Sequence, residues 1–289
     1  KMGDGSLIRT ASYLDKSAHA VTLAAVPDMS GNDRSEIAVL ARRAKGRPVV
    51  SIRDGVTGKI VKNINLFTAN WRPLDLAVVD SVNGNGSPDV AVLAENASGR
   101  IAVEVRDGAT GAQLKRIIFM SAKWVPHQLR ALPDSNGNGA VELAVLAAND
   151  AGNIRAEVRD ARSGNRIKAV NFLSTAFAPV AMAVLDDIEQ SDADELALLA
   201  FRREGGDLRV QERDGGDGTL VRNTPIPSRP CGAVTDRRGG RSPRRRGSLP
   251  ARPGSADRAS CCMVRWREAA RCRRPTRPGT RMQRGIPGL

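Results

Sequence analysis

Apolar and polar positions along the chain fall into short runs that recur about every fifty residues. Within residues 73–126, Leu74–Val79 is an apolar run ending at a polar loop, and Val90–Ala94 is a second. After a turn at Asn96–Gly99, Ile101, Val103 and Val105 alternate with Ala102, Glu104 and Arg106. That period of two predicts a half-buried strand. Asp107–Gly111 (DGATG) is a hairpin turn, because Gly accepts positive φ and Asp hydrogen-bonds its own backbone. Leu114–Met120 forms a fourth strand, and there is little room for a helix.

Three registers fix the repeat. Arg-Asp recurs at Arg53-Asp54, Arg106-Asp107, Arg159-Asp160 and Arg213-Asp214, in steps of 53, 53 and 54. Leu7, Ile60, Leu114, Ile167 and Leu220 each follow a glycine-containing turn. The third register is a set of acidic loops, each entering a similar apolar strand. Four short strands per ~50 residues predict an all-β fold, a β-propeller of four-stranded blades. The units run at about 20–72, 73–126, 127–179 and 180–228, with 1–19 matching the last strand of a preceding blade. Because an unmatched blade face invites association, this count suggests part of a longer array rather than a closed ring.

The acidic loops carry the candidate chemistry. Asp134, Asn136, Asn138 and Glu142 stand at positions 1, 3, 5 and 9 of a turn that Gly137 and Gly139 make sharp. Calcium takes about six to eight oxygen ligands, and alternate residues of a tight loop can aim their oxygens at one centre. Asp28, Ser30, Asn32 and Glu36 repeat the spacing, as do Asp187, Glu189, Ser191 and Glu195. Asp80, Asn83, Asn85 and Asp89 fit only if one inserted residue bulges. Asn-Gly pairs are also the ordinary chemistry of tight turns, and acids in turns cap backbone N–H groups. With two carboxylates in most loops, the expected affinity is weak, on the order of 10⁻⁴–10⁻³ M. No loop is an EF-hand, because Val145 stands at the twelfth position from Asp134 and strands flank the loop.

The pattern D-x-N-x-N-G-x-x-E followed by L-A-V-L, repeated through residues 1–228, resembles the FG-GAP/VCBS repeats of integrin-alpha-like β-propellers. The resemblance implies a loop between the first two strands of each blade that binds calcium, in a secreted or cell-surface module of bacterial type. The Phe-Gly and Gly-Ala-Pro signatures of the integrin version are absent, so an integrin-type ligand site is not carried over. Trp71, Trp124 and Phe177 stand near the blade junctions, each two residues before a proline. They suit inter-blade packing, or a glycan-binding ring as in propeller lectins. The Arg-Asp pairs read as structural: Asp caps the turn, and Arg reaches an acid on a neighbouring strand, with Glu104 and Glu157 the candidates.

Charge changes the picture only at one end. The formal net charge is +14, but residues 229–289 hold 17 of the 45 basic residues, all Arg, and three of the 31 acids. The first 228 residues are balanced, with 28 of each sign, and contain no cysteine. The Arg/Pro-rich tail is expected to be disordered. It reads either as a basic arm for nucleic acid or an anionic surface, or as out-of-frame translation of a GC-rich gene. Arg without Lys, starting abruptly inside a blade, favours the second. No run approaches the ~20 apolar residues of a membrane helix, and no secretory signal opens the chain. His19 and His127 lie far from any Ser or Cys nucleophile motif. The expectation is therefore a non-enzymatic calcium-binding module that recognises a protein or glycan ligand.

Overall fold

The computed structural model describes residues 10–13, 17–43 and 46–227. These fall in the first of two units into which the chain divides, Lys1–Ala233. Residues 1–9 and 14–16, which hold most of the strand expected at 1–19, lie outside the described residues, as do 44–45, 228 and the whole segment 229–289 read as a basic tail.

Sixteen strands form four antiparallel sheets, each a meander in chain order. The first sheet holds β1 (His19–Val26), β2 (Glu36–Arg42), β3 (Pro48–Arg53) and β4 (Ile60–Asn65). The second holds β5 (Trp71–Val79), β6 (Asp89–Asn96), β7 (Ile101–Arg106) and β8 (Gln113–Phe119). The third holds β9 (Trp124–Leu132), β10 (Glu142–Asn149), β11 (Ile154–Asp160) and β12 (Arg166–Asn171). The fourth holds β13 (Phe177–Leu185), β14 (Glu195–Arg202), β15 (Leu208–Asp214) and β16 (Leu220–Ile226).

First strands lie beside first strands: β1 meets β5, β5 meets β9, and β9 meets β13. Sheets joined in series along their first strands are the blades of a β-propeller, as the repeat predicted. The second, third and fourth sheets open at the junction aromatics Trp71, Trp124 and Phe177, so β5 begins two residues before the boundary the repeat suggested.

Three apolar layers lie between successive sheets. Leu40, Val50, Ile52 and Ile64 of the first sheet pack on Leu76, Val90 and Val92 of the second. Leu93, Val103, Val105 and Phe119 repeat this against Leu129, Leu143 and Val145. Leu146, Val158, Val170 and Phe172 do so against Met182, Leu196 and Leu198.

One expectation is corrected by this stacking. β7 is not half-buried: all of Ile101–Val105 is buried, because sheets cover both of its faces. Its alternation marks which neighbour each side chain meets, not core against solvent. Glu104 is fully buried, and its carboxylate takes Arg106 Nε at 2.6 Å and Arg116 Nε at 2.9 Å. The partner of Arg106 is thus on its own strand, not a neighbouring one, and Arg159 likewise meets Glu157 two residues before it at 2.6 Å.

Candidate functional site

The loop between the first two strands of each sheet gathers the predicted ligand residues. Each loop turns through two residues of positive φ, which favour glycine. Gly137 and Gly139 serve in the third loop, and Gly84 and Gly86 in the second. The first loop uses Gly31 and Asp33, while the fourth uses Gln190 (φ 59°) and Asp192 (φ 67°), both strained there.

In the third loop, Asp134 folds back on its own backbone. Its Oδ1 accepts N–H groups of Asn136 and Asn138 at 3.2 Å, and its Oδ2 accepts Gly139 at 2.6 Å. Burial raises the Asp134 pKa, but these N–H donors outweigh it and hold the carboxyl below its ordinary value. Glu142 lies buried beneath, accepting Ser135 N–H at 3.0 Å and Asn136 Nδ2 at 2.9 Å. The first loop repeats this: Asp28 accepts Ser30, Gly31 and Asp33, and Glu36 accepts Met29 and Ser30, both at 3.0 Å.

In the second loop the inserted residue shifts the register. Ser81 takes the place of Asp134, its Oγ 3.0 Å and 3.1 Å from the Oδ1 atoms of Asn83 and Asn85, while Asp80 lies exposed just beyond β5. Asp89 accepts Val82 N–H at 2.8 Å and Gly108 N–H at 3.1 Å.

The structure adds a residue the sequence reading placed elsewhere. The turn aspartate of each Arg-Asp pair caps its hairpin with one oxygen, as expected; Asp107 Oδ1, for instance, accepts Thr110 N–H at 2.6 Å. Its other oxygen enters the candidate loop. Asp107 Oδ2 accepts Asn83 Nδ2 at 2.5 Å and Asn85 Nδ2 at 2.6 Å, and Asp160 Oδ2 accepts Asn138 Nδ2 at 2.6 Å. Asp54 takes Ser30 Oγ at 3.0 Å and also Asn32, and Asp214 takes Ser191.

Antiparallel register causes this convergence. Glu142 stands directly across from Asp160, and Glu195 from Asp214. The sequence signal was a constant offset: Asn32 to Asp54, Asn85 to Asp107 and Asn138 to Asp160 are each 22 residues apart. Facing carboxylates repel. Burial, with the charges of Asp134 and Asp160, raises the Glu142 pKa; burial, with Asp107, raises that of Asp89.

The fourth loop departs from the others. Asp187 accepts N–H groups of Ser191 and Asp192 at 3.0 Å, and Glu195 Oε1 accepts Ile188 N–H at 2.8 Å. Glu195 Oε2 is buried without a hydrogen-bond partner. Glu189, exposed, stands where Ser30 and Asn136 supply donors to the first and third loops, and a carboxylate has none to give. Burial, then Asp186, Glu195 and Asp187, raises the Asp194 pKa.

As a test of fit to calcium, the first and third loops already satisfy the carboxylates of Asp28, Glu36, Asp134 and Glu142 with internal donors. The fourth has an uncommitted buried oxygen and surplus negative charge. Among the described residues, no three acidic, His or Cys side chains converge in an arrangement ready to hold a metal ion.

The junction aromatics do not form a uniform ring. Trp71 (7% exposed) stacks on Phe67 at 4.8 Å, and Phe177 (4% exposed) packs under Arg202 and Arg209. Trp124 is half-buried beneath Arg155 and borders a cleft with Asn149, Asn153 and Asn171. No helix among the described residues is long and apolar enough to cross a membrane.

No protein-family model matches this chain, and no curated protein does. Among solved structures it is similar to BBS1N in complex with ARL6DN, at 15% identity over 74% of this chain, with a TM-score of 0.46. It is similar to the Dos1 propeller at 12% identity over 71% of this chain, with a TM-score of 0.41. A third is an exo-β-1,3-galactanase from Phanerochaete chrysosporium with β-1,3-galactotriose, at 12% identity over 73% of this chain, with a TM-score of 0.42. The chain spans 57%, 65% and 54% of those three chains in turn.

Proposed function

We propose that this chain is a non-enzymatic β-propeller module of an extracellular or cell-surface protein, binding a protein or glycan partner, with calcium stiffening its loops. The observation that carries the calcium reading is Glu195 Oε2, a buried carboxylate oxygen without a hydrogen-bond partner, set beneath the most acidic of four equivalent loops. An uncompensated buried charge is costly, and a hard divalent cation is the partner that oxygen ligands of this kind suit best. Asp187, Ser191, Glu195 and Asp214 would hold it, with charge from Asp186 and Asp194 nearby. The facing pairs Glu142–Asp160 and Asp89–Asp107 would gain from a cation in the same way. The FG-GAP/VCBS character of the repeat belongs to this proposal and rests on the loop pattern itself.

Glu195→Gln tests the assignment. Calorimetric titration of the EDTA-stripped chain with calcium should lose its tightest site in this variant. The metal-free melting temperature should hold or rise, since a buried charge has been removed. Unchanged calcium affinity and stoichiometry would sink the assignment.

A further inference from the structure

We propose that the second loop is a self-modifying site, in which the side-chain amides of Asn83 and Asn85 are lost to the glycines that follow them, leaving aspartate or isoaspartate. The inference stands apart from calcium and needs only water as a co-reactant. The chain holds four Asn-Gly pairs, Asn83-Gly84, Asn85-Gly86, Asn136-Gly137 and Asn138-Gly139, all in two equivalent loops. All four pairs are exposed, and the four glycines have φ between 71° and 80°.

The chemistry is local. The amide nitrogen of a glycine, with no Cβ on its own residue to shield it, attacks the Cγ of the preceding Asn and gives up its proton. The N–Cγ bond forms, the Cγ–Nδ2 bond breaks, and ammonia leaves behind a cyclic imide. Water then opens the ring at either carbonyl. The product is a normal or a β-linked aspartyl residue, with no change of oxidation state.

The amide side chains are held alike in the two loops. Asp107 Oδ2 accepts Asn83 Nδ2 at 2.5 Å and Asn85 Nδ2 at 2.6 Å, as Asp160 Oδ2 accepts Asn138 Nδ2 at 2.6 Å. What differs is the attacking backbone. In the third loop Asp134 holds the N–H groups of Gly137 and Gly139, the latter at 2.6 Å. Arg162 Nη1 donates to the Asn138 carbonyl at 2.7 Å, so that peptide is pinned at both its oxygen and its nitrogen. In the second loop Ser81 stands in for Asp134 and Ala109 for Arg162. The Gly84 and Gly86 N–H groups have no hydrogen-bond partner among the described residues.

The amide oxygens of the second loop are also prepared for attack. Asn83 Oδ1 accepts Asn85 N–H at 3.1 Å, and Asn85 Oδ1 accepts Ser87 N–H at 2.8 Å. Ser81 Oγ lies 3.0 Å and 3.1 Å from those two oxygens and can donate to one at a time. Donors there stabilise the oxyanion that forms as nitrogen adds. Asn138 Oδ1 likewise accepts Ala140 N–H at 2.9 Å, so the free glycine nitrogens carry the difference between the loops. The product replaces a donor by an acceptor. Asp107 Oδ2 then faces a carboxylate where it had held an amide, the tie between loop and hairpin is cut, and the second loop moves toward the acidic composition of the fourth.

The test incubates the full chain in EDTA at mildly alkaline pH, below its melting temperature. Both loops are followed by peptide mass spectrometry, with isoaspartyl methyltransferase labelling as a second readout. Amide loss in the second loop should run at least about tenfold faster than in the third, where hydrogen bonds to a carboxylate must break first. In denaturant the two loops should convert at like rates. Ser81→Asp should slow the second loop to the rate of the third, and Asp134→Ser should speed the third. Circular dichroism checks that each variant keeps its strands, and if one does not fold the other decides. Equal rates in the folded chain, a second loop that keeps its amides, or a difference that persists in denaturant would overturn the proposal. So would a folded variant whose loop converts at the parent's rate.

Discussion

Asp54, Asp107, Asp160 and Asp214 each hold two structures together with one side chain. One carboxylate oxygen caps a hairpin and the other holds the loop of the preceding hairpin. At Asp160, burial alone would raise the pKa, but the Ser163, Asn138 and Asn136 donors outweigh it and hold the carboxyl below its ordinary value. Asp107 is lowered in the same way by Thr110 and Asn83 against burial, and Asp54 by Thr57 first of all. A lowered folded-state pKa contributes stability that is fully present above the unfolded value, about 3.9 for Asp. That stability is lost as pH falls through the folded value. The metal-free chain should therefore lose melting temperature progressively below about pH 4, and Asp160→Asn should flatten that loss. A variant with the parent's acid profile would remove Asp160 from this role.

At the scale of strands, the Glu104 carboxylate is a staple between sheets. It joins β7, β8 and the Phe67 N–H that precedes β5. Glu104→Ala strands two guanidinium groups beside a buried strand and should cost about 3–5 kcal/mol in denaturant unfolding. Glu104→Gln should cost clearly less, because Gln211 at the equivalent place still accepts Leu173 N–H and Arg213 Nε, at 2.9 Å and 3.2 Å. Equal losses for Ala and Gln would show that volume, not hydrogen bonding, matters there. The strands themselves were legible: runs such as Val90–Ala94 and turns such as DGATG announce themselves through periodicity and glycine. The fate of Glu104 was not, because alternation cannot tell solvent from a second sheet. Nor was the convergence of Asp160 on Asn138, which depends on cross-strand register. Ser81 displacing Asp80 depended on which residue of the longer loop bulged, and composition alone does not decide that.

At the scale of the whole described unit, four sheets repeat one design with graded differences. The first and third loops close through their own hydrogen bonds, while the fourth bends non-glycine residues through positive φ and leaves Glu195 Oε2 without a donor. Such a module gains most from a cation where its own donors fail, which couples metal binding to folding. The most direct measurement is thermal unfolding of the EDTA-stripped chain as calcium is added back, with magnesium at equal concentration as control. A melting temperature that climbs as calcium passes through concentrations on the order of 10⁻⁴–10⁻³ M, and stays flat with magnesium, is the predicted result. A cooperative melt at one temperature whatever the calcium concentration would contradict it and leave the four loops as self-sufficient turns.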